Sequence, residues 1–125
     1  MPDGGPQGAL QAPVLFGIPN CDQVKRARSW LTDHGIEYTF HDFKKAKLSR
    51  RVVAHWLETI DWTMLVNRKG TTWRGLAEDR RASVTDADAA TLLMLESPSI
   101  VKRPVLQYGA RTVVGFDPVQ YETLF

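Results

Sequence analysis

The sequence predicts an α/β fold, and three observations carry the prediction. A short apolar run, Val14-Leu15-Phe16-Gly17-Ile18, breaks at Pro19 and leads into a segment with Val24, Ala27 and Leu31 at helical spacing. Residues 36 to 43, IEYTFHDF, then alternate apolar and polar side chains with period two, the pattern of a half-exposed strand. Near the other end, Val105-Leu106-Gln107-Tyr108 and Thr112-Val113-Val114-Gly115-Phe116 flank a Gly109-Ala110 turn and read as a hairpin.

Taken in order, residues 1–13 hold three Gly and three Pro without a charged start, which predicts a flexible leader rather than a targeting peptide. The fold is expected to span 14–125 as a single domain. Val14 to Ile18 is apolar enough for a strand buried on both faces. The helix after it has Lys25, Arg26 and Arg28 mostly on its polar side and stops at His34-Gly35. Lys44, Lys45 and Lys47 form a basic turn before Ser49, a candidate N-cap. Val52, Val53, Trp56, Leu57 and Ile60 then make one helical face. Residues 61–66 suggest a further short helix, 67–72 a polar loop, and 73–76 a return onto the helices. Thr85 with Asp88 three residues later reads as an acidic capping box for a helix that ends before Pro98. Asp117 and Pro118, with Gln120 as partner, open a last short helix running to Phe125. The order is β-α-β, a helical insertion at about 49–96, then β-β-α.

The totals exclude several function classes. Sixteen basic and fourteen acidic residues give a net charge of +2, too little to imply direct nucleic-acid binding. Charged residues interrupt every apolar run well short of the roughly 20 needed for a membrane span. One cysteine rules out an internal disulfide and, with no secretory signal, points to a reducing cytoplasm. His34, His41 and His55 share no close ligand spacing with it, so no metal site is expected. The four tryptophans are read as packing residues, and the basic clusters as solvated faces that could form a partner surface.

That cysteine, Cys21, is the first candidate for chemistry. It stands where a strand passes into a helix, and the unpaired N–H groups of a helix start favour a thiolate, the form that attacks disulfides. The basic residues of the next two turns add to this and Asp22 opposes it. A small buried hydrophobe without reactivity is the plain alternative.

The element order, with a cysteine at the first strand-to-helix junction, is that of a thioredoxin-like fold with a helical insertion. Four stretches make the likeness specific: GIPNCDQVKRA from Gly17, LVNRKGT from Leu65, ESPSIVKRPV from Glu96, and VGF from Val114. Together they closely resemble the arsenate reductase (ArsC)/Spx family, and its YffB-type branch in particular. The resemblance implies a glutathione-dependent thiol reductase with Cys21 as nucleophile and glutathione as co-substrate thiol, acting on a small oxidised or disulfide substrate. It further implies that Arg68 and Arg103 bind the anionic ligand, for which a planar, permanently charged fork is suited. Asn20 and Pro104 are carried over with them. Arg103-Pro104 resembles the cis-proline site that faces the cysteine in thioredoxin-like folds. Two departures matter. Arsenate reductases of the family carry an arginine after the last hairpin, where this chain reads Val113 to Asp117, with Arg111 only at the turn; arsenate as substrate is therefore in doubt. Many Spx regulators use a Cys-x-x-Cys switch, and here the fourth position is Val24. The alternative function is a non-enzymatic, Spx-like regulator that contacts RNA polymerase.

Overall fold

The computed structural model describes residues 12–125, so most of the leader expected at 1–13 lies outside the described residues. The elements are β1 (Val14–Gly17), α1 (Asp22–Asp33), β2 (Thr39–Asp42), α2 (Arg50–Leu57), α3 (Trp62–Leu65), α4 (Thr71–Arg74), α5 (Glu78–Ala82) and α6 (Ala87–Glu96). A 3-10 turn (Pro98–Ile100), β3 (Val105–Tyr108), β4 (Arg111–Val114) and α7 (Pro118–Glu122) follow. They form two compact units, one ending at Asp42 and resuming at Arg103–Phe125, the other Phe43–Lys102.

The first unit is a mixed four-stranded sheet in the order β2-β1-β3-β4, with β1 parallel to β2 and antiparallel to β3. This is the β-α-β and β-β-α arrangement of a thioredoxin-like α/β fold. The register aligns Phe40, Leu15, Leu106 and Val113 in one row across the sheet. Ala27 and Leu31 of α1 and Tyr121 of α7 join Leu15, Leu106 and Val113 in one core cluster, with Trp30, Ile36, Phe40 and Phe116 packed around it. On β1 both Leu15 and its neighbour Phe16 are buried, as its unbroken apolar run predicts. Pro13 is buried too, and its carbonyl accepts the Thr39 N–H at 2.9 Å.

The hairpin forms around Gly109-Ala110 as expected, with its second strand ending at Val114, and the last helix starts as expected but stops three residues short of Phe125. Asp117 caps α7 by accepting the Val119 N–H, and the helix ends at Glu122. The second strand is shorter than its alternating pattern suggests. Ile36 N–H bonds the Leu31 carbonyl and closes α1, so the chain pairs with β1 only from Thr39.

Tyr121 is fully buried, edge-on to both Trp30 and Phe116, and its hydroxyl has no hydrogen-bond partner among the described residues. Burial pushes its phenol above the ordinary value of 10.0, because the phenolate would be charged in an apolar site. The unfolded chain ionises near that ordinary value and the folded chain does not. Stability is therefore full below about pH 10 and falls above it. Tyr121→Phe is expected to remove that fall, and at neutral pH to leave stability unchanged or raise it by up to about 1 kcal/mol, since no hydrogen bond is lost. Urea unfolding of both proteins on either side of pH 10 measures this.

In the second unit α2 packs against α6, with Val53, Trp56, Leu93 and Met94 buried. Ser49 caps α2 by accepting the Val52 N–H. The cap of α6 is Asp86, which accepts the Ala89 N–H at 2.9 Å, not Thr85. The expected polar loop at 67–72 is shorter, because Thr71 and Thr72 already belong to α4. Helix α5 has no buried residue and so no apolar stripe to announce it. No helix of the described residues is long and apolar enough to cross a membrane.

Candidate active site

The register places several predicted residues at one end of the first unit's sheet. Phe16 of β1 pairs with Val105 of β3, and Val105 with Val114 of β4. The loop leading from β1 to Cys21, the Arg103-Pro104 dipeptide before β3, and Gly115 after β4 therefore all leave the sheet at the same end. Arg111 pairs with Tyr108 at the other end of the hairpin, about 10 Å along the strand from Val114. It does not take the place of an arginine after β4.

Cys21 is the N-cap residue of α1, with extended backbone angles, φ −88 and ψ 129. Its side chain makes no capping hydrogen bond, and the residue is partly exposed. Its N–H donates to Ile18 O at 3.2 Å, closing a turn that presents Pro19 and Asn20 to solvent, and its carbonyl accepts the Lys25 N–H at 2.9 Å. The thiol thus sits at a helix start without being used to build it.

Gly17 allows the helix to come this close. A Cβ there would lie 2.7 Å from Cγ2 of Val24, a fully buried and rotamerically stiff side chain. Gly17→Ala is expected to push the first turn of α1 away from β1 and to cost about 1–3 kcal/mol. A fall in the urea midpoint with an unchanged slope would record it.

The Arg103–Pro104 peptide bond is cis, as the resemblance implies. Pro104 is buried, and its carbonyl accepts the Gly115 N–H at 2.8 Å. The next residue, Phe116, donates its N–H to Oε1 of Gln23 at 3.2 Å. The chain after β4 is thereby tied both to the proline before β3 and to the first turn of α1, two residues beyond Cys21. Gln23 and Gly115 lie in two of the stretches that carry the resemblance, but the sequence alone gives neither of them a role. The contact joins residues 93 positions apart, and no local pattern marks it.

Arg68 belongs to the second unit. It is exposed on a turn, its guanidinium carbon 5.9 Å from the centre of the Trp62 ring. The turn is held from both sides. Val66 forms an antiparallel bridge with Val101, Asn67 N–H donates to Ile100 O at 2.8 Å, and Lys102 N–H donates to Leu65 O at 2.7 Å. Oδ1 of Asn67 accepts the Lys69 N–H at 3.1 Å. Nearby, the N–H and hydroxyl of Thr63 both donate to the Asp61 carboxylate and hold it below the usual carboxylate range. Among the described residues no group of three or more His, Cys, Asp or Glu is arranged to hold a metal ion.

Known proteins share the fold. The solved structure of the YFFB protein is 43% identical to this chain, covers 90% of it and 97% of its own length, and superposes with a TM-score of 0.85. The solution structure of an arsenate reductase (ArsC) related protein from Brucella melitensis is 50% identical, with 90% and 93% coverage and a TM-score of 0.69. The global transcriptional regulator Spx of Streptococcus agalactiae is 24% identical over 111 residues, 83% of this chain and 76% of its own. The ArsC family model matches residues 16–124, from the middle of β1 to the residue before the C-terminus, and the chain belongs to the ArsC family.

Proposed function

We propose that this protein is a glutathione-dependent thiol reductase that works through a single nucleophilic cysteine. The observation that carries the reading is the placement of Cys21: a partly exposed thiol at a helix start, not spent on capping, at the sheet end from which Arg103-Pro104 also departs. The Cys21 thiolate attacks a disulfide sulfur of the oxidised substrate, and the bond electrons leave on the other sulfur, which takes up a proton. The chain holds no second cysteine, so an external thiol must release the first. Glutathione suits that role chemically. Its carboxylates match the fork of Arg103, and its extended backbone matches the main chain before Pro104. The LVNRKG motif assigns Arg68 the same anion-binding part, and Asn20 flanks the thiol in the turn. The protein would act in the cytoplasm, where reduced glutathione is abundant.

Spx relatives supply the second reading, a regulator that contacts RNA polymerase. One experiment separates the two. Wild type and Cys21→Ala are assayed with arsenate, small disulfides and glutathione mixed disulfides, and are tested for retention of RNA polymerase subunits. Turnover of glutathione mixed disulfides by wild type alone is the expected result. Equal retention of polymerase by both proteins, with no thiol turnover, overturns it.

A further inference from the structure

The first unit has a groove that the thiol chemistry does not need. It measures about 410 Å³, is shallow and open to solvent, and runs along α1 away from Cys21, with Trp30, Phe116 and Pro118 as its apolar lining. Lys25 and Arg26 line the end nearer Cys21, and Asp33 the far end. The hydrogen bond from Phe116 to Gln23 ties the Phe116 part of the lining to the cysteine's own helix. Asp33 is the last residue of α1, where the helix dipole disfavours a carboxylate, and the last turn holds no basic residue. Along α1 the order from the thiol is Lys25 and Arg26, then Ser29 and Trp30, then Asp33, and that length and order of charge fit an extended polypeptide better than a tripeptide held at the cysteine.

We propose, resting on the thiol-reductase reading above, that this groove binds the segment of a protein substrate next to its glutathionylated cysteine. The segment would carry an acidic residue close to that cysteine, an apolar one after it and a basic one farther on. Helix rise sets the spacing. Lys25 and Arg26 lie about 6–8 Å along the axis from Cys21 and Asp33 about 18 Å, which an extended strand covers in about two and about five residues. In the reaction the Cys21 thiolate attacks the glutathione sulfur of the protein mixed disulfide. The S–S bond breaks, and the protein's sulfur leaves with the electron pair and takes up a proton. A reduced glutathione thiolate then attacks the glutathione sulfur on Cys21, releasing oxidised glutathione and regenerating the Cys21 thiolate.

The test uses two synthetic peptides, each with one glutathionylated cysteine. In the first, glutamate, leucine and lysine stand at the near, middle and far positions on both sides of the cysteine; in the second the two charges are exchanged. A mixed disulfide of cysteamine and glutathione serves as the small substrate. Wild type is expected to favour the first peptide by about tenfold in kcat/KM, a preference that shrinks as salt is added. Asp33→Lys, which relieves the unfavourable helix end and should fold, is expected to narrow that preference about threefold. Its turnover of the small disulfide should be unchanged. Equal kcat/KM for the two peptides, or equal loss on the small disulfide in Asp33→Lys, overturns the groove and leaves the thiol reductase standing. Failure of all three substrates to give a glutathione adduct on Cys21 removes the reductase reading and the groove with it.

Discussion

Cys21→Ser is expected to reduce turnover of glutathione mixed disulfides to the uncatalysed background, a loss of at least about a thousandfold, without changing stability by more than about 0.5 kcal/mol. The two halves of the expectation have separate causes. A serine hydroxyl cannot form or exchange a disulfide, and the chain has no other thiol to substitute. The cysteine side chain makes no capping hydrogen bond and is not fully buried, so α1 loses nothing when sulfur becomes oxygen. Serine is a good N-cap and could even strengthen the helix start. Turnover assays and urea unfolding on the same preparation give both numbers. Residual turnover above background would show that the thiol is incidental.

Arg103→Ala is expected to weaken glutathione binding by about ten- to a hundredfold, the worth of a charge-assisted hydrogen bond, and Arg103→Lys by about tenfold even though the charge is kept. The argument rests on shape. A guanidinium offers two parallel N–H donors to one carboxylate, whereas an ammonium acts as a point charge. Arg103 stands beside Pro104, whose carbonyl is held by Gly115, so the backbone that aims it is fixed at one point. Calorimetric titration of reduced glutathione into the three proteins tests this. Equal affinity in Arg103→Lys and wild type would show that charge alone is read.

The parts of the fold that the sequence made legible are those where one physical signal dominates. β1 is an unbroken apolar run, α1 a stripe of Val24, Ala27 and Leu31, all three fully buried, and the β3–β4 hairpin a pair of apolar runs around a glycine. Short polar helices left no such signal. α4 and α5 bury none of their residues, so neither periodicity nor composition separates them from loop. At α6 two adjacent residues, Thr85 and Asp86, are both good caps, and only the backbone geometry decides for Asp86. At the second strand the alternation continues back through Tyr38 to Ile36, where the backbone is still closing α1, so the pattern is longer than the strand that pairs.

The candidate site divides the same way. Cys21 was visible because it is the sole cysteine and stands at a strand-to-helix junction, a position that has chemical meaning by itself. Arg68, Arg103 and Pro104 were visible only through motif resemblance, since an isolated arginine is most often a solvated surface residue. The close approach of Gly17 to Val24 and the tether of Phe116 to Gln23 belong to tertiary structure alone. Both act on the start of α1, and so on the position of the thiol.

The central claim, that a single cysteine reacts and an external glutathione resolves it, is tested most directly by intact-mass measurement. The protein is incubated with oxidised glutathione and then with an excess of reduced glutathione. The account predicts one glutathione adduct per chain in the first step, located at Cys21 and absent from Cys21→Ser, and return to the unmodified mass in the second. An unmodified protein, or a disulfide-linked dimer with no glutathione attached, would contradict it.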